Sequence, residues 1–208
     1  MTDVLHALHH ERLLPEQMLS DLPAFIEKIK QLAQDLKLDI TQLQADHVAL
    51  RINDEALAHA AHQAWLEHGQ MLSTAQINGR PIVVLKFTHP IEIGAWQIAC
   101  LELPYPAKGK LYPRQGWEHI EFVIPAPFVS ASASDYLSVL QHQNPNFANA
   151  LEQAESRGIS IKLSSPKGEG ERLANPTVAF KRQGVCIKLH PHSLLDIVAS
   201  EQADTRPT

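Results

Sequence analysis

Asp46-His47-Val48-Ala49-Leu50 is echoed by Glu118-His119-Ile120-Glu121-Phe122, and this pair of stretches decides the fold. In the first, His47, Ala49 and Arg51 alternate with Val48, Leu50 and Ile52, a period of two that places the two sets on opposite faces of a strand. A second echo lies further along each half. Cys100-Leu101-Glu102-Leu103-Pro104 aligns with Cys186-Ile187-Lys188-Leu189-His190-Pro191, with one residue of slack. A repeated unit that begins and ends on matching strands points to two tandem modules.

The intervening sequence fills in the same order twice. After His47–Ile52, Glu55–His68 is alanine-rich and helical and is stopped by Gly69. Strands follow at Gln70–Gln76, at Arg80–Thr88 after an Asn78-Gly79 turn, and at Ala95–Leu103 before Pro104. In the second half Trp117–Ile124 reads as a strand, Ser134–Arg157 as one or two helices broken at Asn144-Pro145, and Ile159–Leu163, Thr177–Lys181 and Val185–His190 as three more strands. The extra length of the second half falls in its helical region and in the Ser164–Asn175 connector. The expected class is α+β, with modules at about 41–107 and 113–198 forming one domain over 41–198. Residues 1–40 read as an N-terminal helical extension. In it Leu22, Phe25, Ile26, Ile29, Leu32, Ala33 and Leu36 recur at helical spacing behind a Ser20-Asp21 cap, with Pro23 in the first turn. Residues 199–208 read as a polar, disordered tail.

Composition narrows the functions. The chain has 208 residues, a formal net charge of −5 and 20% charged residues with no basic block, so an electrostatic nucleic-acid footprint is not expected. No apolar run approaches the roughly 20 residues a membrane helix needs, and Met1–His10 lacks the pattern of a secretory signal. Cys100 and Cys186 form no CxxC motif and read as small core residues, so the cytoplasm is the expected compartment. Twelve histidines are unusual, but most fall on helix faces or near the start, where solvation explains them. His59 and His62, three apart on a helix, could grip an adventitious ion.

Two histidines stand apart because they occupy equivalent places in the repeat. If the two sheets curve towards a common cleft, His47, His119, Glu102 and Lys188 converge there. Two imidazoles and one carboxylate leave several coordination positions open on an Fe, Mn, Ni or Zn ion, and the open positions are where chemistry occurs. A divalent ion there could polarise a carbonyl, stabilise an enediolate or lower the pKa of bound water.

The chain resembles YecM-type proteins of the vicinal oxygen chelate superfamily, which includes glyoxalase I, extradiol dioxygenases, methylmalonyl-CoA epimerase and metal-free antibiotic-binding proteins. The residues that carry the resemblance are Ala45 to Arg51, Ile77-Asn78-Gly79-Arg80-Pro81, Gly116 to Glu121, Ser164-Ser165-Pro166-Lys167-Gly168-Glu169 and Lys188-Leu189-His190-Pro191. The resemblance spans nearly the whole chain. It implies two βαβββ modules forming a curved, half-open β-barrel with one divalent metal on the concave face. The superfamily draws ligands from the first and last strands of each module, matching His47, Glu102 and His119.

Lys188 departs from the glyoxalase-like pattern, which has a glutamate there. Three readings stay open: Lys188 pairs with Glu102 and the site holds no metal; a three-ligand site survives with Lys188 as an acid or base beside it; or His190, on the same strand face, supplies the missing ligand. Arg51 and Glu121 share strand faces with His47 and His119, and either bind substrate or pair with each other. An arginine fork favours a carboxylate- or phosphate-bearing substrate. Trp117 is the tryptophan best placed to wall the cavity. Ser164–Glu171 lacks the Walker pattern and reads as a connector or a lid. The expectation is a metal-dependent enzyme acting on a small oxygen-chelating substrate by isomerase, lyase or dioxygenase chemistry, with Lys188 or Glu121 moving a proton and Arg51 and Trp117 at the substrate. The alternative is a metal-free small-molecule binding protein on the same fold. Two modules in one chain can complete a cavity, so the expected state includes a monomer and does not exclude a homodimer.

Overall fold

The computed structural model describes residues 2–77, 80–126, 132–165 and 173–202. The Asn78-Gly79 turn, most of the Ser164–Glu171 connector and residues 203–208 lie outside them. The elements are α1 (Thr2–His10), α2 (Pro15–Asp35), β1 (Gln44–Arg51), α3 (Glu55–Trp65), β2 (Gly69–Ile77), β3 (Arg80–Ile93), β4 (Trp96–Pro104), β5 (Gly116–Val123), α4 (Ala133–Gln143), α5 (Pro145–Glu152), β6 (Ser160–Ser164), β7 (Thr177–Arg182), β8 (Val185–His190) and α6 (Leu194–Gln202). The fold is α+β, with eight strands in a mixed sheet of order β2-β3-β4-β1-β5-β8-β7-β6. Among the described residues no helix is long and apolar enough to cross a membrane.

The chain divides into two compact units, Met1–Ile26 with His47–His119, and Glu27–Asp46 with Ile120–Thr208. Residues 1–40 are thus shared out: α1 and the first part of α2 belong to the first unit and the rest of α2 to the second.

In the first unit, β2, β3 and β4 form an antiparallel meander. β1 then lies parallel to β4, with His47 opposite Cys100 and Ala49 opposite Glu102. Such a parallel return needs a crossover of a dozen residues or more, supplied here by α3 and the meander. Residues directly opposite share a face, so Glu102 stands on the face of Ala49 and therefore of His47. The Asp54 side chain caps α3 by accepting from Leu57 N at 2.9 Å, and Ala58, Ala61 and Trp65 are buried. Gly69 must be glycine for close approach: a Cβ there would stand 2.3 Å from the Lys86 carbonyl oxygen. β1 is buried on both faces from Ala45 to Leu50, so its alternation is chemical rather than a contrast of core and water.

In the second unit β6, β7 and β8 form the matching antiparallel meander. Ser132 and Asn144 cap α4 and α5, and Phe147 meets Phe180 edge-on with ring centroids 5.6 Å apart. Tyr136 is fully buried and spends its hydroxyl on the Ile124 carbonyl at 2.8 Å; burial pushes the phenol above its ordinary range.

Two expectations about helices are corrected. α2 starts at Pro15 rather than at Asp21, and Pro23 lies inside it. Pro15 suits a first turn, where a missing N–H goes unnoticed, whereas Pro23 forgoes one intrahelical bond that the buried Leu22, Phe25 and Ile26 outweigh. The tail expected to be disordered from Ala199 is helical to Gln202. Ser193 and Asp196 form a reciprocal capping pair, Asp196 N donating to Ser193 Oγ at 3.1 Å and Ser193 Oγ to Asp196 Oδ2 at 2.6 Å, while Ile197 and Val198 are buried.

The end of α2 is fastened to its unit by charge. Arg182 Nη2 donates to Asp35 Oδ2 at 2.5 Å, and Arg157 Nη1 donates to the Asp35 carbonyl at 3.0 Å. Burial raises the Asp35 pKa, but the bonds from Arg182 and Gln31 and the charges of Arg182 and Arg157 outweigh it and hold the carboxyl below its ordinary 3.8. A depressed folded-state pKa gives stability that is complete above the unfolded value and is lost as pH falls through the folded one. Asp35→Asn is therefore expected to cost roughly 1 kcal/mol at pH 6, as a partly exposed pair does. In urea titrations the difference from the native chain should shrink steadily below about pH 4.

Candidate metal centre

His47 and His119 are each 3% exposed, and their rings stand edge to face with centroids 6.1 Å apart. Both turn Nε2 towards one atom, Glu102 Oε2, at 3.3 Å each. The donor atoms of the three residues all lie within 4.8 Å of one another. Neighbouring ligands about 2.1 Å from an ion in tetrahedral or octahedral arrangement stand about 3.0–3.4 Å apart, so the observed separations fit a divalent metal.

The chemistry of the set fits as well. His119 Nδ1 is 3.0 Å from Glu118 Oε2, and Glu118 is also ion-paired with Arg51. Burial raises the Glu118 pKa, but the hydrogen bond and charge of His119, and then those of Arg51, pull it far below the carboxylate range. An ionised carboxylate only accepts, so the ring proton sits on Nδ1. In the neutral ring Nε2 then holds a lone pair facing the lone pairs of Glu102 Oε2. A cation between them, a proton or a metal, relieves that opposition. The Arg51 guanidinium is held from its other side by Tyr112, whose ring centroid is 4.0 Å away.

A second cluster lies in the other unit. Lys188 Nζ donates to Glu121 Oε1 at 2.6 Å, with Glu121 9% exposed and the lysine 26%. His190 Nε2 is 3.6 Å from both Glu121 Oε2 and Asp46 Oδ2, and Asp46 accepts Leu194 N at 2.9 Å. Asn175 fixes the His190 tautomer. Its amide is oriented by His192, whose N–H donates to Asn175 Oδ1 and whose carbonyl accepts from Nδ2, both at 3.2 Å. Nδ2 also donates to His190 Nδ1 at 3.0 Å. His190 therefore carries its proton on Nε2, facing two carboxylates, and has no lone pair there to give.

The structure thus brings His47, Glu102 and His119 together, and pairs Lys188 with Glu121. Arg51 takes Glu118 as its ion-pair partner, where pairing with Glu121 was one of the two readings left open. Trp117 donates its indole N–H to Met18 O at 2.7 Å, and its ring lies 6.0 Å from Trp65 and 6.3 Å from Phe25. That is a packing position. Glu118, Asp46 and Asn175 went unrecognised in the sequence. Glu118 was within the repeated stretch, but as an immediate neighbour of His119 it is assigned by alternation to the other face.

Comparison with known proteins follows the same lines. The family model described as "YecM protein" matches residues 15–201. Protein YecM of Escherichia coli (strain K12) is 42% identical over 188 residues, covering 90% of this chain and 94% of that protein. An uncharacterized protein of Haemophilus influenzae is 36% identical over 180 residues, covering 84% and 88%. A solved structure described as "Structural Genomics, Protein EC4020" superposes with a TM-score of 0.73 at 38% identity, covering 90% of this chain and 92% of that one.

Proposed function

Taking as premise that the chain belongs to the YecM family, we propose that it is a divalent-metal-dependent enzyme of the vicinal oxygen chelate type. Its ligands are His47, Glu102 and His119, and its substrate is a small molecule with adjacent oxygens and a carboxylate. The observation that carries this reading is the single Glu102 oxygen facing both imidazole Nε2 atoms at 3.3 Å. A divalent ion held by three protein ligands keeps positions open and supplies Lewis-acid polarisation of a carbonyl.

The protein's own groups supply the rest. Glu102 and the two imidazoles fix where the substrate oxygens lie. Glu121 accepts a proton from the substrate and Lys188 returns one, the 2.6 Å bond between them keeping base and acid paired. Arg51 has buried Nε and Nη1 hydrogens without a hydrogen-bond partner among the described residues, a donor pair that suits a substrate carboxylate. Trp117 shapes this end of the site through its packing. Isomerase or lyase chemistry is the leading class, with dioxygenation the other that this ligand set allows. The cytoplasm is the compartment in which we place it.

Untagged protein stripped by chelator and then offered Fe(II), Mn(II), Ni(II) or Zn(II) is expected to retain one ion per chain. At a free metal concentration 100 times Kd it should gain about 2.7 kcal/mol of stability. Protein that retains none of the four ions and shows no thermal shift would be the metal-free binding protein instead.

A further inference from the structure

Arg51, Glu118 and His119 form a line of contacts that ends on a metal ligand. We infer that Glu118 is a positioning residue, held by Arg51, that fixes His119 with its proton on Nδ1 and its Nε2 lone pair towards the ion. The inference rests on the reading of His119 as a ligand.

Glu118 Oε2 lies 3.0 Å from His119 Nδ1 while its Oε1 meets Arg51, so one carboxylate bridges the two. The Glu118 and Arg51 side chains are 14% and 11% exposed, which limits competition from water for either contact. The arginine is fixed in turn, its guanidinium lying over Tyr112. Tyr112 is itself tied to Asn53, accepting from Nδ2 at 2.7 Å through its carbonyl and donating its N–H to Oδ1 at 3.0 Å. Every rotation of the His119 ring is therefore opposed by a chain of contacts running back to the end of β1. A carboxylate on the distal ring nitrogen both selects the tautomer that can ligate through Nε2 and makes that nitrogen a better donor. Without it the ring could carry its proton on Nε2, the form that cannot bind.

The test uses the full, untagged chain and Zn(II) alone as probe. By competition titration, Glu118→Ala is expected to bind Zn(II) about 100-fold more weakly, and Glu118→Gln, which keeps an acceptor but loses the charge, about tenfold. Long-range 15N–1H spectra of the native Zn(II)-loaded protein should show His119 keeping an Nδ1 proton and coordinating through Nε2, a signature that mere support of the fold does not set. That spectrum also serves if Glu118→Ala does not fold. A native chain that binds Zn(II) through Nδ1 of His119, or variants that bind within twofold of native, would overturn the inference and leave the metal site standing. A native chain that takes up no Zn(II) would overturn the site and this inference with it.

Discussion

His119→Ala is expected to weaken divalent-metal binding by more than about 100-fold, beyond the range that loss of an outer-shell partner produces. One of three ligands disappears, and the Glu102 oxygen that faced two imidazoles is left facing one. His47→Ala should match it, because the two imidazoles stand at equal 3.3 Å distances from that oxygen. Glu102→Gln should be no milder, since it removes the only carboxylate among the three. His59→Ala serves as a control: this helical histidine belongs to the pair that could hold an adventitious ion, and its loss should leave the tight site untouched. Isothermal titration with Mn(II) or Ni(II) on untagged protein reads all four. Tight binding that survives His119→Ala would show the ligand assignment to be wrong.

Trp117→Ala should lower stability by about 3 kcal/mol, the lower end for a large aromatic removed from a packed site. The indole sits among Trp65, Phe25 and the Met18 carbonyl, so its loss opens a cavity and removes a hydrogen bond. Urea unfolding measures the first effect. Metal affinity of the folded variant should stay within about threefold of native, because no ligand leans on the indole. A variant of native stability that had lost substrate binding would return Trp117 to the cavity wall.

The repeat was legible because matched strands carry matching residues, which singled out His47 and His119, whereas Glu102 was read from its place on the last strand of the first half, where its counterpart is Lys188. The βαβββ order was legible for the same reason, period and turn residues agreeing in both halves. What alternation could not reach lies in β5. Its first residue, Gly116, has a φ of 98°, so the strand's regular alternation is not established at Trp117. Trp117 shares parity with His119 yet packs on helices, and Glu118, assigned to the opposite face, bends back to its neighbour's ring. His190 was ambiguous for another reason: its tautomer is set by Asn175, fifteen residues away in sequence and brought close only by the fold. The start of α2 was misplaced and α6 was missed because local signals competed or were slight. Pro23 looked like a first-turn proline, and the Ser193–Asp196 pair that starts α6 lies just before the stretch that read as a polar tail.

The parallel seating of β1 on β4 also bears on the order of events during folding. The meander β2-β3-β4 needs only neighbouring segments to pair, whereas His47 reaches Glu102 across a sequence separation of 55 residues. Closing so long a loop costs entropy before any contact repays it, so β1 docks late. The ligand set is then among the last parts of the first unit to assemble. Contacts absent from the folding transition state act on the rate of unfolding. A metal bound there leaves the folding rate nearly unchanged and lengthens the lifetime of the finished protein.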